Sequence, residues 1–276
     1  MVNSNYRGEY RPTCIKYSQN KGSILEQPLS RRKPLALAST VHGILAVLIP
    51  TIIALTAGLL LWLLTLSKRK ALNGMTYLLG WVGSIAAGLR LTIDGIEIID
   101  NNRPAVFIFN HQSGIDPIIL CRLLRKNIVG VAKIELKSHP VIGPLLSFGD
   151  TLFVDRDNKK SKIEVLDDAN LVLSRTLSIA ISPEGTRSKH TEVGQFHSGP
   201  FRLARRSNRP IVPIIIVDSA KVLPPRSLNM KPGNVHIKVL PPIYPEDWED
   251  KHPNEMAEAM RTTYVDELTQ LNKNLP

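Results

Sequence analysis

The chain has little of what several classes of protein are built from. Only two of its 276 residues are cysteine, which excludes a disulfide-rich scaffold and a zinc module built on cysteine clusters. Aromatic residues make up 5% of the sequence, and no repeat of about 20–50 residues is visible, which argues against a solenoid or propeller. What characterises the chain is therefore where its charged and apolar residues lie.

Charge is missing from two long stretches near the N-terminus. No charged side chain occurs from 35 to 66 or from 71 to 89. A helix needs about 20 apolar residues to span a membrane, so both stretches are candidates for membrane-spanning helices. A secretory signal peptide matches poorly, because its apolar core begins earlier and is only about 7–15 residues long.

Pro50 divides the first stretch near its middle, where it is expected to kink or break a helix. Basic triplets flank the stretch at 31–33 and 68–70, and such residues favour the cytoplasmic side of a membrane. Both ends are therefore expected to face the cytoplasm, as in a re-entrant hairpin bent at Pro50. A single long tilted span is the alternative.

The second stretch carries small residues at intervals of four, Gly80, Ser84 and Gly88. This spacing predicts a helix face that packs closely on another helix. The alternative to a second membrane span is a helix buried against the rest of the protein.

Most of the positive charge lies beside these apolar stretches. The formal net charge is +11, of which residues 1–34 carry +5 and the triplet at 68–70 carries +3. Basic clusters next to apolar segments favour anionic lipid headgroups, whereas a nucleic-acid reader carries its basic patch on the folded domain. We therefore expect membrane lipids as partners, no nucleic acid, and a membrane protein whose folded domain faces the cytoplasm.

After residue 89 the sequence changes to short apolar strands that alternate with helical segments. Helices are predicted at 117–126, 160–175, 201–206 and 253–271. Strands are predicted at 105–109, 129–132, 151–154, 177–181, 211–217 and 235–240, with a strand or a hairpin at 91–99. Continuous apolar strands between helices are typical of a sheet covered on both faces.

The predicted fold is α/β, a mixed sheet covered by helices, with an N-terminal hydrophobic helical membrane anchor. The expected divisions are a basic N-terminal segment at 1–34, membrane-associated helices at 35–89 and a catalytic domain at 90–276. In such folds ligands bind beyond the ends of strands, so the loops that follow the strands are where a site is expected.

The first candidate site follows the predicted strand at 105–109 and reads Asn110-His111-Gln112-Ser113-Gly114-Ile115-Asp116-Pro117. His111 suits a general base near neutral pH, and Asp116 would fix the tautomer of its ring. In a continuous helix two residues five apart lie about 140° from each other, so this pair meets only if a turn leads from strand to helix. The alternative is that Asp116 caps the following helix and that His111 is an ordinary loop residue.

The second candidate site follows the strand at 177–181 and reads Ser182-Pro183-Glu184-Gly185-Thr186-Arg187-Ser188. Gly185, Thr186 and Arg187 suit an anionic group, because backbone N–H groups can approach it and a guanidinium binds phosphate with two hydrogen bonds. Glu184 would orient the arginine. The alternative is a tight surface turn with an ion pair. Further cationic candidates stand just behind other predicted strands, Lys133 and Arg156.

Together these segments resemble the membrane-bound glycerolipid acyltransferase family, whose best-known members are 1-acyl-sn-glycerol-3-phosphate acyltransferases. The family's N-H-x-S-x-x-D block is matched at 110–116, and its P-E-G-T-R-S block is intact at 183–188. Similarity to its G-x-x-F-x-x-R block, its K-x-E-L segment and its apolar run with a proline is found at 149–156, 133–136 and 211–214. The likeness covers about residues 90–220. Many relatives read F-K-x-G where this chain has Phe196-His197-Ser198-Gly199, a departure that bears on the headgroup preference.

The resemblance implies transfer of a fatty acyl group from a thioester, acyl-CoA or acyl-carrier protein, to the free hydroxyl of lysophosphatidic acid, giving phosphatidic acid in phospholipid biosynthesis. It implies that His111 removes the hydroxyl proton and that Asp116 holds the ring. It also implies six substrate-binding residues: Lys133, Arg156, Glu184, Gly185, Thr186 and Arg187. Among these, Lys133 would donate a hydrogen bond to the oxyanion, and Arg187 would bind the phosphate of the acceptor. No metal or other cofactor is expected, since a thiolate leaves readily.

Other functions remain open from the sequence. The acceptor could be another lysolipid, either a lyso-aminolipid or a lysophospholipid. Ser113 beside His111 could serve a membrane esterase, but N-H-x-S lacks the G-x-S-x-G elbow of hydrolases, and we interpret Ser113 as a turn or cap residue. The chain could also be a non-catalytic membrane protein that binds anionic lipid through its basic flanks.

Overall fold

The computed structural model describes residues 29–140, 142–187 and 193–274. Most of the predicted basic segment at 1–34, and Ser188 of the second motif, lie outside the described residues. The described part consists of a helical hairpin (residues 29–86) and an α/β body (the described residues from 89 onward).

The helical hairpin is formed by α1 (Leu29–Thr65) and α2 (Lys68–Ala86). The chain reverses at Leu66, which has a φ of 50°, and the hydroxyl of Ser67 caps α2 by accepting a backbone N–H from its first turn. Gly74 allows the two helices to approach closely, because a side-chain carbon on it would lie 2.3 Å from a leucine methyl group of α1.

The first apolar stretch forms one continuous helix, so the prediction of a hairpin bent at Pro50 is wrong. A proline inside a helix removes one backbone hydrogen bond, and the many remaining bonds of this 37-residue helix continue it past Pro50. Among the described helices, only α1 is long and apolar enough to cross a membrane, over Leu37–Thr65.

The second apolar stretch forms a helix that packs on the body, as the alternative to a second membrane span predicts. α2 lies against both α1 and α4 (Asp116–Leu124). A side-chain carbon on Gly80 would lie 2.2 Å from the backbone nitrogen of Arg122, so only glycine permits this approach. Ser84 is buried on the same face and donates to the Gly80 carbonyl, whereas Gly88 lies beyond the helix at a φ of 65°.

The body is a seven-stranded sheet with helices on both faces. Its strands are β1 (Leu89–Asp94), β2 (Val106–Phe109), β3 (Ile128–Lys133), β4 (Leu152–Val154), β5 (Ser178–Ile181), β6 (Ile211–Val217) and β7 (Gly233–Val239). Its other helices are α3 (Ile96–Asn101), α5 (Ile142–Phe148), α6 (Lys159–Ser174), α7 (Gly199–Ser207), α8 (Ser219–Val222) and α9 (Pro253–Asn274), with 3₁₀ turns at Ile134–Ser138 and Pro245–Trp248.

The strand order is β1-β7-β6-β2-β5-β3-β4. The strands from β6 to β4 are parallel, β7 is antiparallel to β6, and β1 is parallel to β7. The predicted mixed sheet is therefore confirmed. Every residue of β6 is buried, as its continuous run of branched apolar side chains predicts.

Apolar side chains fill the space on both faces of the sheet. Phe107 and Ile108, neighbours on β2, point to opposite faces and belong to different cores. Burial of each such side chain stabilises the fold by about 1.5–3 kcal/mol. Tyr264 of α9 is buried, and its hydroxyl donates to the Ile108 carbonyl at 2.9 Å and accepts the Ile214 N–H at 3.1 Å. This side chain therefore ties α9 to β2 and β6.

The segment at 91–99 is a strand followed by a helix, so the prediction of a hairpin there is wrong. Gly95, at a φ of 78°, turns the chain out of β1, and α3 begins at Ile96. Glu97 lies in the first turn of α3, where a negative charge favours the helix. The other predicted strands and helices agree with the observed ones to within three residues, whereas α5 and α8 were not predicted.

The parallel strands bring the sequence motifs to one edge of the sheet. β2 lies between β5 and β6, and β3 and β4 follow on the other side of β5. Because parallel strands end at the same edge, the loops after β2, β3, β4 and β5 are neighbours. The predicted site residues lie in these loops or at the ends of the elements that border them.

Candidate active site

His111 and Asp116 meet beyond the end of β2. The Nδ1 atom of His111 lies 2.6 Å from Oδ2 of Asp116. Residues 111–115 form the turn that connects the strand to α4, and this turn closes the five-residue separation between them. The carboxylate is fully buried, while 23% of the histidine side chain is exposed. The geometry therefore provides a held imidazole that is open to a substrate.

The Asp116 carboxylate also organises the turn itself. Its Oδ2 accepts the backbone N–H groups of Gln112 and Ser113, each at 2.8 Å. These N–H groups precede α4, so the carboxylate binds the turn and the imidazole and is not a cap of the first helical turn. Asp116 Oδ1 is buried without a hydrogen-bond partner among the described residues. All three of these hydrogen bonds of the carboxylate therefore fall on the oxygen that faces His111.

Ser113 is a structural residue of this turn. Its side chain is fully buried. The hydroxyl donates to the Leu223 carbonyl at 2.6 Å and accepts the Ile115 N–H at 3.2 Å. A hydroxyl held in this way is not available as a nucleophile, which agrees with its interpretation as a turn residue.

Asn110 fixes the start of the same turn, a role that the sequence analysis did not assign. Its side-chain amide donates to the Ile216 carbonyl and its side-chain oxygen accepts the Ile216 N–H, both at 2.8 Å. The pair of bonds attaches the end of β2 to β6. A polar residue that directly follows a buried strand is the signal that pointed to this position, but its partner is 106 residues away in the chain.

Glu184 joins the two motif loops through backbone hydrogen bonds. One carboxylate oxygen accepts the His111 N–H at 2.9 Å, and the other accepts the Gly194 N–H at 2.8 Å. The side chain is only 5% exposed. Burial and these two bonds show that Glu184 positions the backbone of His111. Its part in substrate binding stays a prediction.

Gly185, Thr186 and Arg187 form the exposed part of the second loop. Gly185 has a φ of 69°, a conformation that favours glycine, while Thr186 and Arg187 are exposed to solvent. The Nη1 atom of Arg187 comes within 3.7 Å of where a side-chain carbon on Gly114 would lie. The guanidinium therefore reaches the loop that carries His111 and Asp116.

Arg156 lies beside Gly185. Its Nε atom would be 3.8 Å from a side-chain carbon on Gly185. Arg156 is half-buried, and this burial lowers the pKa of its guanidinium, opposed by the negative charge of Glu135. Lys133 forms an ion pair of 2.5 Å with Glu135, and the hydrogen bond from Lys133 is the main cause that lowers the pKa of that glutamate. Lys133 thus belongs with Arg156 in a charged group behind β3 and β4.

Comparison with known proteins assigns the chain to a family. Residues 90–217 match the family model described as Acyltransferase. The 1-acyl-sn-glycerol-3-phosphate acyltransferase of Cocos nucifera is 33% identical over 68% of this chain and 61% of that protein. The protein of the same name from Limnanthes douglasii is 31% identical over 70% of this chain and 71% of that protein. The protein of the same name from Saccharomyces cerevisiae is 29% identical over 69% of this chain and 63% of that protein. The chain thus matches less than two thirds of the Cocos and Saccharomyces proteins.

A solved structure shares the fold. The crystal structure of the 1-acyl-sn-glycerophosphate acyltransferase PlsC from Thermotoga maritima is similar with a TM-score of 0.71, over 86% of this chain and 98% of that chain, at 21% identity. The shared fold, the two sequence motifs and the match to the family model thus agree on one class of protein, the acyltransferase family. The chain belongs to the acyltransferase family that includes the 1-acyl-sn-glycerol-3-phosphate acyltransferases.

Proposed function

We propose that this protein is a membrane-bound acyltransferase that moves a fatty acyl group from a thioester to the free hydroxyl of lysophosphatidic acid. The product is phosphatidic acid. The observation that carries the proposal is the buried Asp116 carboxylate 2.6 Å from Nδ1 of the partly exposed His111. The names of the relatives, which match over about two thirds of this chain, support the choice of reaction.

The His111 imidazole acts as the general base. Because Asp116 holds Nδ1, the other ring nitrogen, Nε2, takes the proton from the acceptor hydroxyl as its oxygen attacks the thioester carbonyl. The C–O bond then forms, the C–S bond breaks, and the proton passes from the imidazolium to the departing thiolate. General-base assistance of this kind accelerates a reaction about 10²–10⁴-fold. No metal or other cofactor is needed, because a thiolate is a good leaving group.

Arg187 binds the phosphate of the acceptor in this proposal. Its guanidinium lies next to Gly114 in the loop of the catalytic pair, and a planar guanidinium suits phosphate with paired hydrogen bonds. The exposed Thr186 and the backbone at Gly185 extend the same anion-binding loop. Arg156 is the second cation beside that loop. The ion pair with Glu135 places the charge of Lys133 near Arg156, and we retain Lys133 as a candidate donor to the oxyanion.

The helical hairpin attaches this site to a membrane in our proposal. α1 exposes large apolar side chains along its length, among them Leu37, Ile52, Leu63 and Leu64. Lysolipids and long-chain thioesters both carry apolar tails, so an anchored site meets its substrates at the headgroup level. We further propose that the body, from about residue 90 to 276, faces the cytoplasm and that the basic flanks bind anionic lipid.

The reaction is tested by identifying the lipid that the purified full chain makes. The protein is incubated with a mixture of lysolipids and one acyl-CoA, and the products are identified by mass spectrometry. The proposal predicts phosphatidic acid as the main product. If only another lysolipid is acylated, lysophosphatidic acid is not the acceptor and that lysolipid takes its place in the proposal. If no acylated lipid forms with either acyl-CoA or acyl-carrier protein as donor, acyl transfer is refuted.

The phosphate contact is tested with Arg187→Ala. Loss of a charged hydrogen bond costs about 1.5–3 kcal/mol, so the acceptor KM is expected to rise at least tenfold while the thioester KM stays within about twofold. Arg90→Ala, at an exposed arginine of the edge strand β1, is the matched control and should change neither. Equal effects of Arg187→Ala on both KM values would refute the phosphate role.

A further inference from the structure

His197 lies against the anion-binding loop, although no role was assigned to it. A side-chain carbon on Gly185 would lie 3.3 Å from Cδ2 of His197 and 3.6 Å from its Nε2. The same carbon would lie 3.8 Å from Nε of Arg156. The imidazole and the guanidinium therefore both border Gly185, the glycine of the loop that follows β5.

The backbone around His197 is fixed, while its side chain is exposed. The His197 N–H donates to the Pro183 carbonyl at 2.9 Å, and Gly194 donates to Glu184 in the same loop. The preceding Phe196 is buried and contacts the ring of Tyr264 edge-on, with ring centroids 5.1 Å apart. The exposed imidazole is thus presented at a defined place beside the loop that follows β5.

The charged groups around His197 favour an anion. Arg156 faces it from the β4–α6 loop, with Glu135 and Lys133, which are paired with each other, beyond it at the end of β3. In the loop that follows β5, the Glu184 carboxylate is buried and accepts two backbone N–H groups. A doubly negative phosphate monoester between the imidazole and the guanidinium would complete this arrangement.

We propose that His197, together with Arg156, binds the phosphate of the acceptor lipid over Gly185 and thereby selects a phosphomonoester headgroup. This inference rests on the proposed function, and it names a specificity-determining residue of the same site. Histidine gains its charge only toward acidic pH, whereas lysine is charged throughout the neutral range. The contribution of His197 to binding of the acceptor should therefore fall as the pH rises, whereas that of a lysine at this position should not.

The test measures equilibrium binding of lysophosphatidic acid in detergent micelles without any acyl donor, so that no transfer occurs. Full-length wild type is compared with His197→Ala and His197→Lys at pH 6 and pH 8. His252→Ala, at an exposed histidine beside the start of α9, is the matched control. A monoacylglycerol with the same chain, which lacks the phosphate, is the matched ligand. Comparing variants at each pH cancels the effect of the phosphate's own ionisation, whose second pKa is about 6, as far as all variants share it.

We expect His197→Ala to weaken lysophosphatidic acid binding about tenfold at pH 6, equivalent to about 1.4 kcal/mol, and to differ less from wild type at pH 8. His197→Lys should bind at least as tightly as wild type at both values, and binding of the monoacylglycerol should be unchanged. Wild-type affinity in His197→Ala at pH 6, or an equal loss for the monoacylglycerol, would overturn the inference.

The outcome is separable from that of the proposed reaction. If the wild type binds lysophosphatidic acid through His197 but forms no phosphatidic acid when a thioester is added, the phosphate site stands and the transfer reaction fails. If phosphatidic acid forms at the same acceptor KM in wild type and His197→Ala, the reaction stands and this inference fails.

Discussion

Replacing Asp116 by asparagine removes the negative charge from the catalytic pair while keeping the size of the side chain. The carboxylate oxygen Oδ2 accepts the imidazole N–H at 2.6 Å and two backbone N–H groups at 2.8 Å. An asparagine oxygen can accept the same three bonds, and its amide group would occupy the place of Oδ1, which has no partner among the described residues. The turn can therefore keep its shape.

The expected loss is catalytic. A hydrogen bond to a charged group is worth about 1.5–3 kcal/mol, and the buried carboxylate is the group that stabilises the imidazolium when His111 takes the proton. If the asparagine amide instead faces the ring, it holds the wrong tautomer. We expect kcat to fall about 10²–10³-fold, which corresponds to about 3–4 kcal/mol of transition-state stabilisation.

The assay follows release of the thiol from acyl-CoA in the presence of lysophosphatidic acid, with the thermal midpoint of unfolding measured alongside. Asp116→Asn should lower kcat and leave both KM values within about threefold. Its midpoint should stay within a few degrees of wild type. A folded variant with kcat within threefold of wild type would refute the role of the charge.

Three further predictions concern residues around the site and the hairpin. Ser113→Ala should lower the free energy of unfolding by about 1–3 kcal/mol, because the buried Leu223 carbonyl loses its donor. The kcat of this variant should stay within a few-fold of wild type. Complete loss of activity in folded protein would instead support Ser113 as the nucleophile. Gly80→Ala should lower the free energy of unfolding by about 1–3 kcal/mol in denaturant titration, because its methyl carbon would lie 2.2 Å from backbone, whereas Gly130→Ala, which has open space, should have little effect; equal effects would contradict the packing argument. Burial raises the pKa of the Cys121 thiol to about 12, so the thiol is protonated at pH 8. In Cys14→Ser protein, where Cys121 is the remaining cysteine, iodoacetamide should react slowly with the native protein and rapidly after unfolding. Fast alkylation of the native protein would contradict this prediction.

The sheet could be predicted where local sequence decides the structure. The runs at 105–109 and 211–217 are apolar throughout, and both became buried strands. Strand pairing was harder, because the parallel contact of β1 with β7 joins residues that lie far apart in the chain, such as Leu89 and Gly233. Pro50 shows the limit of a local rule, since one lost hydrogen bond does not end a long helix.

The site was only partly visible in the sequence. His111 and Asp116 were identifiable as residue types, but their spacing alone allowed a helix cap as readily as a catalytic pair. The turn between β2 and α4 brings His111 and Asp116 together. Glu184 and Asn110 hold that turn through hydrogen bonds between residues far apart in the chain. Such partners depend on which strands become neighbours. The approach of His197 to Gly185 likewise required the path of the chain after β5.

The most direct test of the account is release of CoA from acyl-CoA by the wild type and by His111→Ala, each with and without lysophosphatidic acid. We predict fast release only when the acceptor and His111 are both present, because the imidazole takes its proton from the acceptor hydroxyl. Equally fast release by folded His111→Ala, or by the wild type without acceptor, would contradict direct transfer by this pair.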